Sequence, residues 1–325
     1  MSARVLIADR GDAGQRLDLM VRRHLAREAQ TSRTRVQHWI ESGRVTVNGV
    51  AVRRAAARTA AGDIVVVAAP ARPRRPAMEA EHDAATRLAV LYEDDELLAL
   101  DKPAGTVVHP GYGHHQGTTL NALLAYAAAW PSGCRPSIVG RLDKMTSGIV
   151  VVAKTAGAHA ALQRALAARE SAKEYLAVVY GGVRPLRGSI DVALARDPRD
   201  RTRMIAAAVN GRASVTLFEL LDRGARASLL RCRLVTGRMH QIRAHLAARG
   251  WPIVGDRVYA GAHVRPAAPR DVVLHAFPRP ALHAWRTAFT HPKTGVRVRI
   301  EAPVPEDLSR LLRETGLCAG VESPP

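Results

Sequence analysis

GRLDKMTSGIVVVAKT, residues 140–155, sets one carboxylate, Asp143, between Arg141 and Lys144, turns through Thr146, Ser147 and Gly148, and runs straight into the apolar segment IVVVA. An unbroken apolar run after turn residues reads as a strand buried on both faces. A lone acid at the mouth of such a strand raises a question of charge. A carboxylate taken out of water stays ionised only beside a cation, so some positive partner is needed.

Outward from this stretch, short strands, helices and turns alternate. LAVLYEDDELLALDKPAG (88–105), KEYLAVVYGG (173–182), ASVTLFELL (213–221) and ASLLRCRLVT (227–236) read as strands; TTLNALLAYAAA (118–129), AGAHAALQRALAARE (156–170) and HQIRAHLAARG (240–250) read as helices, the last stopped by Gly250. Helices do not separate the strands regularly, so a doubly wound parallel sheet is excluded and a mixed α+β sheet fits. No GxGxxG follows a strand and no GxxxxGK[ST] occurs, which argues against a nucleotide cofactor.

Nearer the N-terminus, GQRLDLMVRRHLARE (14–28) places Leu17, Met20, Val21 and Leu25 at helical spacing. SRTRVQHWIESG (32–43) opens on Ser32 as N-cap and closes on Gly43. RVTVNGVAV then reads as a hairpin about Asn48–Gly49, and GDIVVVA as a further strand. PARPRRPAMEAEHDAAT (70–86), rich in proline and charge without apolar period, reads as a linker. The expected organisation is a small unit over 15–70, a linker over 71–86, a larger unit over 87–308 and a tail over 309–325, with one terminal helix beginning near 305.

The 325 residues carry a formal charge of +19, which favours a polyanionic partner, nucleic acid first. Arginine dominates: there are only five lysines among 48 basic residues, all beyond position 100. Codon bias explains arginine over lysine but not the excess of positive charge. Cys134, Cys232 and Cys318 are odd in number and far apart, indicating neither a disulfide framework nor a zinc knuckle. With no signal-like start and no apolar run of about 18 residues, a cytoplasmic protein without a membrane span is expected. His109, His114, His115, His240 and His245 form no metal-ligand pattern, since HxxxxH puts two imidazoles poorly on one helix face. Neither metal nor cofactor is expected.

SRTRVQHWIESGRVTVNG (32–49) is similar to the S4 RNA-binding domain. That resemblance implies a helix pair and small sheet with a basic face, Arg33, Arg35, Arg44, Arg53 and Arg54 contacting phosphates. DKPAGTVVHPGYGHHQGTTLNALL (101–124), VGRLDKMTSGIVVVAKT, KEYLAVVYG (173–181), TGRMHQIRAHLAARGWPIVGDRVYAG (236–261) and ALHAWRTAFTHPKTGVRVRIEAPVPEDL (281–308) together resemble, in order, the RluA/RluD-type pseudouridine synthases. The resemblance implies a mixed, largely antiparallel catalytic sheet behind the S4 domain, and isomerisation of a uridine in structured RNA. Large-subunit ribosomal RNA is the favoured substrate, transfer RNA the alternative, and a monomer is expected.

By the same resemblance Asp143 is the catalytic carboxylate, attacking the sugar or removing a ribose proton, and the family leans toward the second. Arg243 of HQIR is its cationic partner, and Tyr175 of KEY stacks on the target base. Arg141 helps displace that base, Leu282 packs near it, and Arg238 and His240 contact RNA. Two positions depart from the family pattern: Gly140 stands where most relatives have His, and Met145 where a polar or acidic residue is common. They bear on substrate preference rather than reaction class. Two other readings remain: a catalytically silent S4-type RNA-binding or ribosome-assembly protein, and a nucleoside or glycoside hydrolase, which ordinarily needs two carboxylates.

Overall fold

The computed structural model describes residues 2–25, 32–69, 88–109, 116–168, 170–200, 202–207, 209–261 and 272–318. The expected linker, and His114 and His115, lie outside these described residues. Two compact units divide the chain, Met1–Ala77 and Met78–Pro325.

In the first unit, β1 (Ser2–Ile7), α1 (Leu17–His24), α2 (Arg33–Glu41), β2 (Val45–Val47), β3 (Val50–Ala51) and β4 (Ile64–Ala69) form two helices on a sheet of order β1-β4-β2-β3. Leu17, Met20, Val21 and Leu25 are buried with Val36 and Ile40 of α2 and with Val45, Val65 and Val67 of the sheet. Ser32 caps α2, its hydroxyl accepting from Arg35 N at 3.3 Å. Asn48 and Gly49 make the hairpin turn between β2 and β3. The unit also reaches back before residue 15, because β1 pairs antiparallel with β4 from Ser2 opposite Ala69 to Ile7 opposite Ile64. Val5 and Ile7 are exposed, so backbone pairing rather than an apolar pattern places that strand.

Asp18 is the fixed point of this unit. Its buried carboxylate accepts from Arg16 Nε at 2.9 Å, Arg33 Nε at 3.1 Å and Gln37 Nε2 at 2.8 Å. Burial works against its charge, but those three donors and the charge of Arg16 prevail and hold its pKa at about 2.

The second unit contains, in chain order, β5 (Ala89–Glu93), β6 (Leu97–Lys102), α3 (Thr119–Tyr126), β7 (Ser137–Val139), β8 (Ser147–Ala153), α4 (Ala156–Ala167), β9 (Ala172–Tyr180), β10 (Arg187–Asp191), β11 (Leu194–Arg196), β12 (Met204–Ala206), β13 (Val215–Arg223), β14 (Ala227–Leu234), α5 (Gln241–Ala248), α6 (Val272–Ala276), β15 (Leu282–Thr290), β16 (Arg297–Glu301) and α7 (Glu306–Thr315). Ten of the strands make one sheet, ordered β10-β13-β14-β9-β15-β8-β6-β5, with β7 beside β8 and β16 beside β15; β11 and β12 form a separate hairpin. Every pairing in the large sheet is antiparallel except β8 with β15, which meet in parallel at His283–Ser147 and Ala284–Gly148.

That exception positions the site. The apolar run IVVVA lies in β8, which is buried at all seven residues. One edge of β8 pairs wholly with β6; the other is shared, its C-terminal half with β7 and its first two residues with β15. Where β7 and β15 part company, the connection 140–146 enters. Gly148 permits the junction, because at φ 108° a Cβ there would lie 2.2 Å from Ala284 O, closer than any side chain allows.

The main core joins Leu176 and Val178 of β9, Leu230 and Cys232 of β14, and Leu282 and Trp285 of β15 to Ile242 and Leu246 of α5. Leu308, Leu311, Leu312 and Leu317 belong to the same cluster. The expected tail from 309 is therefore corrected as far as 317: α7 lays its leucine face on the sheet, and Arg279 pairs with Asp307 through both nitrogen–oxygen contacts, 2.6 and 2.8 Å.

A carboxylate whose folded pKa is depressed from 3.8 to about 2 stabilises the fold fully above pH ~4 and loses that contribution as pH falls through 2. Urea midpoints measured from pH 5 to 2 are expected to show the loss, about 1–2 kcal/mol after allowance for the partly exposed arginines. Asp18→Asn is expected to flatten that part of the profile; an unchanged profile would show that Asp18 is not its source.

Candidate active site

Four contacts fix the connection 140–146. Leu142 is buried, Thr146 N donates to Asp143 O at 3.0 Å, and Gly105 N donates to Lys144 O at 2.9 Å. The fourth comes from Lys102, buried at the end of β6, whose ammonium donates to Pro103 O (2.7 Å), Thr106 O (3.1 Å) and Lys144 O (3.2 Å). Burial and then the charge of Arg279 lower its pKa to about 8, against the attraction of Asp143 and Asp101. Three carbonyls replace the water this ammonium has lost. The backbone around Asp143 is held from both sides.

The cation demanded by the sequence is Arg243, on α5. Its Nη1 donates to Asp143 Oδ2 at 3.2 Å, while Nε and Nη2 donate to Asp256 Oδ2 and Oδ1 at 2.6 and 2.8 Å. Burial opposes the charge of Arg243, but Asp256 and then Asp143 overrule it and raise its pKa further. The two acids differ in access: the Asp256 side chain is 0% exposed and that of Asp143 21%. Asp256 also accepts from Val258 N and Tyr259 N, so it orients the guanidinium and faces no solvent. Asp143 is the carboxylate presented to a ligand.

His240 approaches from the other side, with Nε2 3.7 Å from Asp143 Oδ2. It sits in the left-handed region at φ 51°, immediately before α5. The Tyr259 hydroxyl accepts from Met204 N at 2.8 Å and lies 3.1 Å from His240 Nδ1. Burial lowers the pKa of His240 despite the pull of Asp143. The hydrogen bond that Asp143 accepts from Arg243 falls on Oδ2.

A cavity of about 930 Å³ opens over these groups, lined also by Tyr175, Arg141, Arg238 and Leu282. Tyr175 on β9 stands between Ala284 of β15 and Cys232 of β14, small neighbours that crowd neither side of its ring. Its phenol is pushed up by burial first and by Asp143 second, and so stays neutral. Leu282 is buried at the start of β15, and Arg141 is exposed. Seven of the residues singled out in the sequence thus meet in one place: Asp143, Arg243, Tyr175, Arg141, Arg238, His240 and Leu282. Arg33, Arg35, Arg44, Arg53 and Arg54 belong to the other unit; all five are exposed there, and Arg33 is tied to Asp18.

Residues 96–248, which hold Asp143, Tyr175 and Arg243, match the family model described as RNA pseudouridylate synthase. The chain is also 42% identical over 318 residues to the ribosomal large subunit pseudouridine synthase D of Xanthomonas campestris, covering 96% of this chain and 92% of that one. The chain belongs to the RNA pseudouridylate synthase family. Proteins of the same name from Xylella fastidiosa and Pseudomonas aeruginosa are 41% and 40% identical to this RluA/RluD-type pseudouridine synthase, over 93% and 92% of its length and 89% and 91% of theirs. Its fold is that of the solved human RNA pseudouridylate synthase domain containing 4, at a TM-score of 0.59 and 21% identity, over 70% of this chain and 93% of the human one.

Three residues of this synthase site escape a reading of the sequence. Asp256 lies in PIVGDRVY, an acid in an apolar context, which hints at a buried partner but not which one. Lys102 follows an apolar strand and precedes Pro103, a hint of the same kind. Tyr259 carries no local signal. The remaining histidines do not converge: His245 is buried on α5 with contacts to Thr216 Oγ1 (2.9 Å) and Val192 O (3.0 Å). Elsewhere Asp9, Asp12 and His24 lie close together, already held by Arg23 and by the His24–Asp12 pair. Among the described residues no helix is long and apolar enough to cross a membrane.

Removing one partner of a buried ion pair strands the other and typically costs about 3–5 kcal/mol. Asp256→Ala is expected to lower the urea-derived unfolding free energy by about that amount, and Asp256→Asn, which keeps an acceptor, by less. Wild-type stability in both would show that Arg243 does not depend on Asp256.

Proposed function

We propose that this protein converts uridine to pseudouridine in folded RNA, with large-subunit ribosomal RNA as substrate and Asp143 as the catalytic carboxylate. The observation that carries this is the partly exposed Asp143 carboxylate, gripped by Arg243 at one oxygen, in a cavity that also offers Tyr175 and Leu282. The names of the relatives support the ribosomal substrate.

The reaction balances without a co-reactant. The N1–C1′ bond of uridine breaks, the uracil turns in place, a C5–C1′ bond forms, C5 loses a proton and N1 gains one. A carboxylate at C1′ and C2′ serves either as nucleophile on the sugar or as base toward a ribose proton, and both need it ionised. Arg243 supplies that condition at Oδ2 and leaves Oδ1 for the ribose. Flipping the nucleotide out of its stack costs a few kcal/mol, against which stacking on Tyr175 returns about 1–3 kcal/mol. Arg141 at the cavity mouth fills the space the base leaves, and Leu282 packs against its edge. Arg238 contacts the RNA alongside them. Gly140 lines the cavity and Met145 is exposed, so neither departure from the family pattern lies in the core.

We assign the first unit to S4-type RNA binding. Its two helices on a small sheet, with Arg35, Arg44, Arg53 and Arg54 exposed, support this. Such contacts set affinity and position rather than sequence preference. A hydrolase would need a second working carboxylate, and the nearest, Asp256, is sealed and committed to Arg243.

Asp143→Ala is expected to abolish pseudouridine formation in large-subunit ribosomal RNA while leaving RNA binding within about twofold; equal pseudouridine from both proteins would end the enzymatic reading, and free uracil from wild type would favour hydrolysis. Deleting residues 1–77 is expected to weaken RNA binding and flatten its dependence on salt, because arginine–phosphate contacts release counterions. A salt dependence equal to that of the full chain would remove the S4-type assignment.

A further inference from the structure

The cavity extends beyond the groups assigned above, along α4 and the first residues of β9, to Gln163, Ala168, Ser171, Lys173 and Thr287. Lys173 lies two residues before Tyr175 on β9 and so shares its face of the strand, about 7 Å along the chain. It is half-buried, and burial alone pulls its pKa below the ordinary lysine value. The chain's other lysines differ. Lys102 is caged by carbonyls, Lys154 pairs with Glu93, Lys293 pairs with Glu96, and Lys144 also has a partner. Lys173 has neither a carboxylate nor a hydrogen-bond acceptor among the described residues.

Four of the polar side chains around it are engaged elsewhere. Ser171 Oγ donates to Leu166 O and Ala168 O, Thr287 Oγ1 to Ala172 O, and Arg233 Nη2 to Ser171 O. The Arg286 guanidinium is taken by Glu301 and stacks 3.5 Å from the centre of the Trp285 ring. The one carboxylate lining this arm, Glu174, is the next residue on β9 and so alternates to the other face of the strand from Lys173. A partly desolvated ammonium without a counter-charge is costly, and a phosphate oxygen entering the arm offsets that cost.

We infer that Lys173 forms a second subsite of the cavity, which receives the backbone phosphate flanking the flipped uridine. This rests on the RNA substrate proposed above. With the target base on Tyr175, the strand direction carries the adjoining backbone toward Lys173, and the compact, flexible ammonium suits a single phosphate oxygen. The subsite sets how far along the strand the flipped nucleotide sits, and thereby brings its ribose to Asp143.

The test uses the full-length protein and a transcript of the large-subunit ribosomal RNA region that wild type modifies. Lys173→Met is expected to weaken RNA binding about three- to tenfold and to reduce the slope of log Kobs against log salt by about 1, while Lys173→Arg restores both. A neutral methylphosphonate linkage beside the target uridine should cost wild type the same affinity and cost Lys173→Met nothing more, since both changes remove one contact. An unchanged affinity and slope, or losses that add, would each overturn the assignment. Absence of pseudouridine with wild type would instead defeat the function proposed above, and the salt slope still decides the subsite because it measures binding alone.

Discussion

One guanidinium shared between two unlike carboxylates organises this molecule. Arg243 gives two nitrogens to Asp256, which is sealed, and one to Asp143, which is not. The sealed acid fixes the plane and position of the guanidinium, and the guanidinium then keeps a charged oxygen at the floor of a cavity. Without Asp256 the arginine would be a long side chain with rotational freedom; with it, the guanidinium has one position. Isomerisation relies on positioning, and this rigidity supplies it.

The rest of the second unit serves the same end. A strand that changes partner from β7 to β15 opens a fork in the sheet, and Gly148 brings the two strands together closely enough to close its base. Lys102 pins the connection above the fork by its carbonyls rather than by side-chain contact, which leaves the side chain of Asp143 free. The C-terminal helix contributes at a distance: Asp307 holds Arg279, and Arg279 donates to Leu282 O at 3.4 Å, fixing the residue that walls the cavity. Elements from β6 to α7 thus converge on one carboxylate.

Charge is used differently in the two units. In the first, Asp18 draws Arg16 and Arg33 onto the surface of α1 while other arginines stay exposed, so one buried acid orders part of a basic face without neutralising it. In the second, Arg243 and Arg279 are buried and paired with carboxylates, whereas Arg141 is exposed at the cavity and Lys173 has no carboxylate partner among the described residues. An excess of 19 positive charges brings RNA to the protein, but only the few cations with fixed geometry decide where a nucleotide stops.

Sequence alone determined what depends on near neighbours. Helical spacing of Leu17, Met20, Val21 and Leu25, the Ser32 cap, the Asn48–Gly49 turn and the unbroken IVVVA strand are local consequences of side-chain shape and periodicity. The need of Asp143 for a cation was equally legible, since the cost of a buried charge does not depend on topology. Motif order supplied the identity of that cation. Tertiary structure alone decided that Asp256 locks Arg243, that Tyr259 orients His240, that Lys102 cages the connection, and that β1 and α7 belong to the two folded cores. Each of these joins residues far apart in the chain or rests on backbone pairing. No local pattern encodes such partners, because the energy that selects them exists only once the strands have assembled.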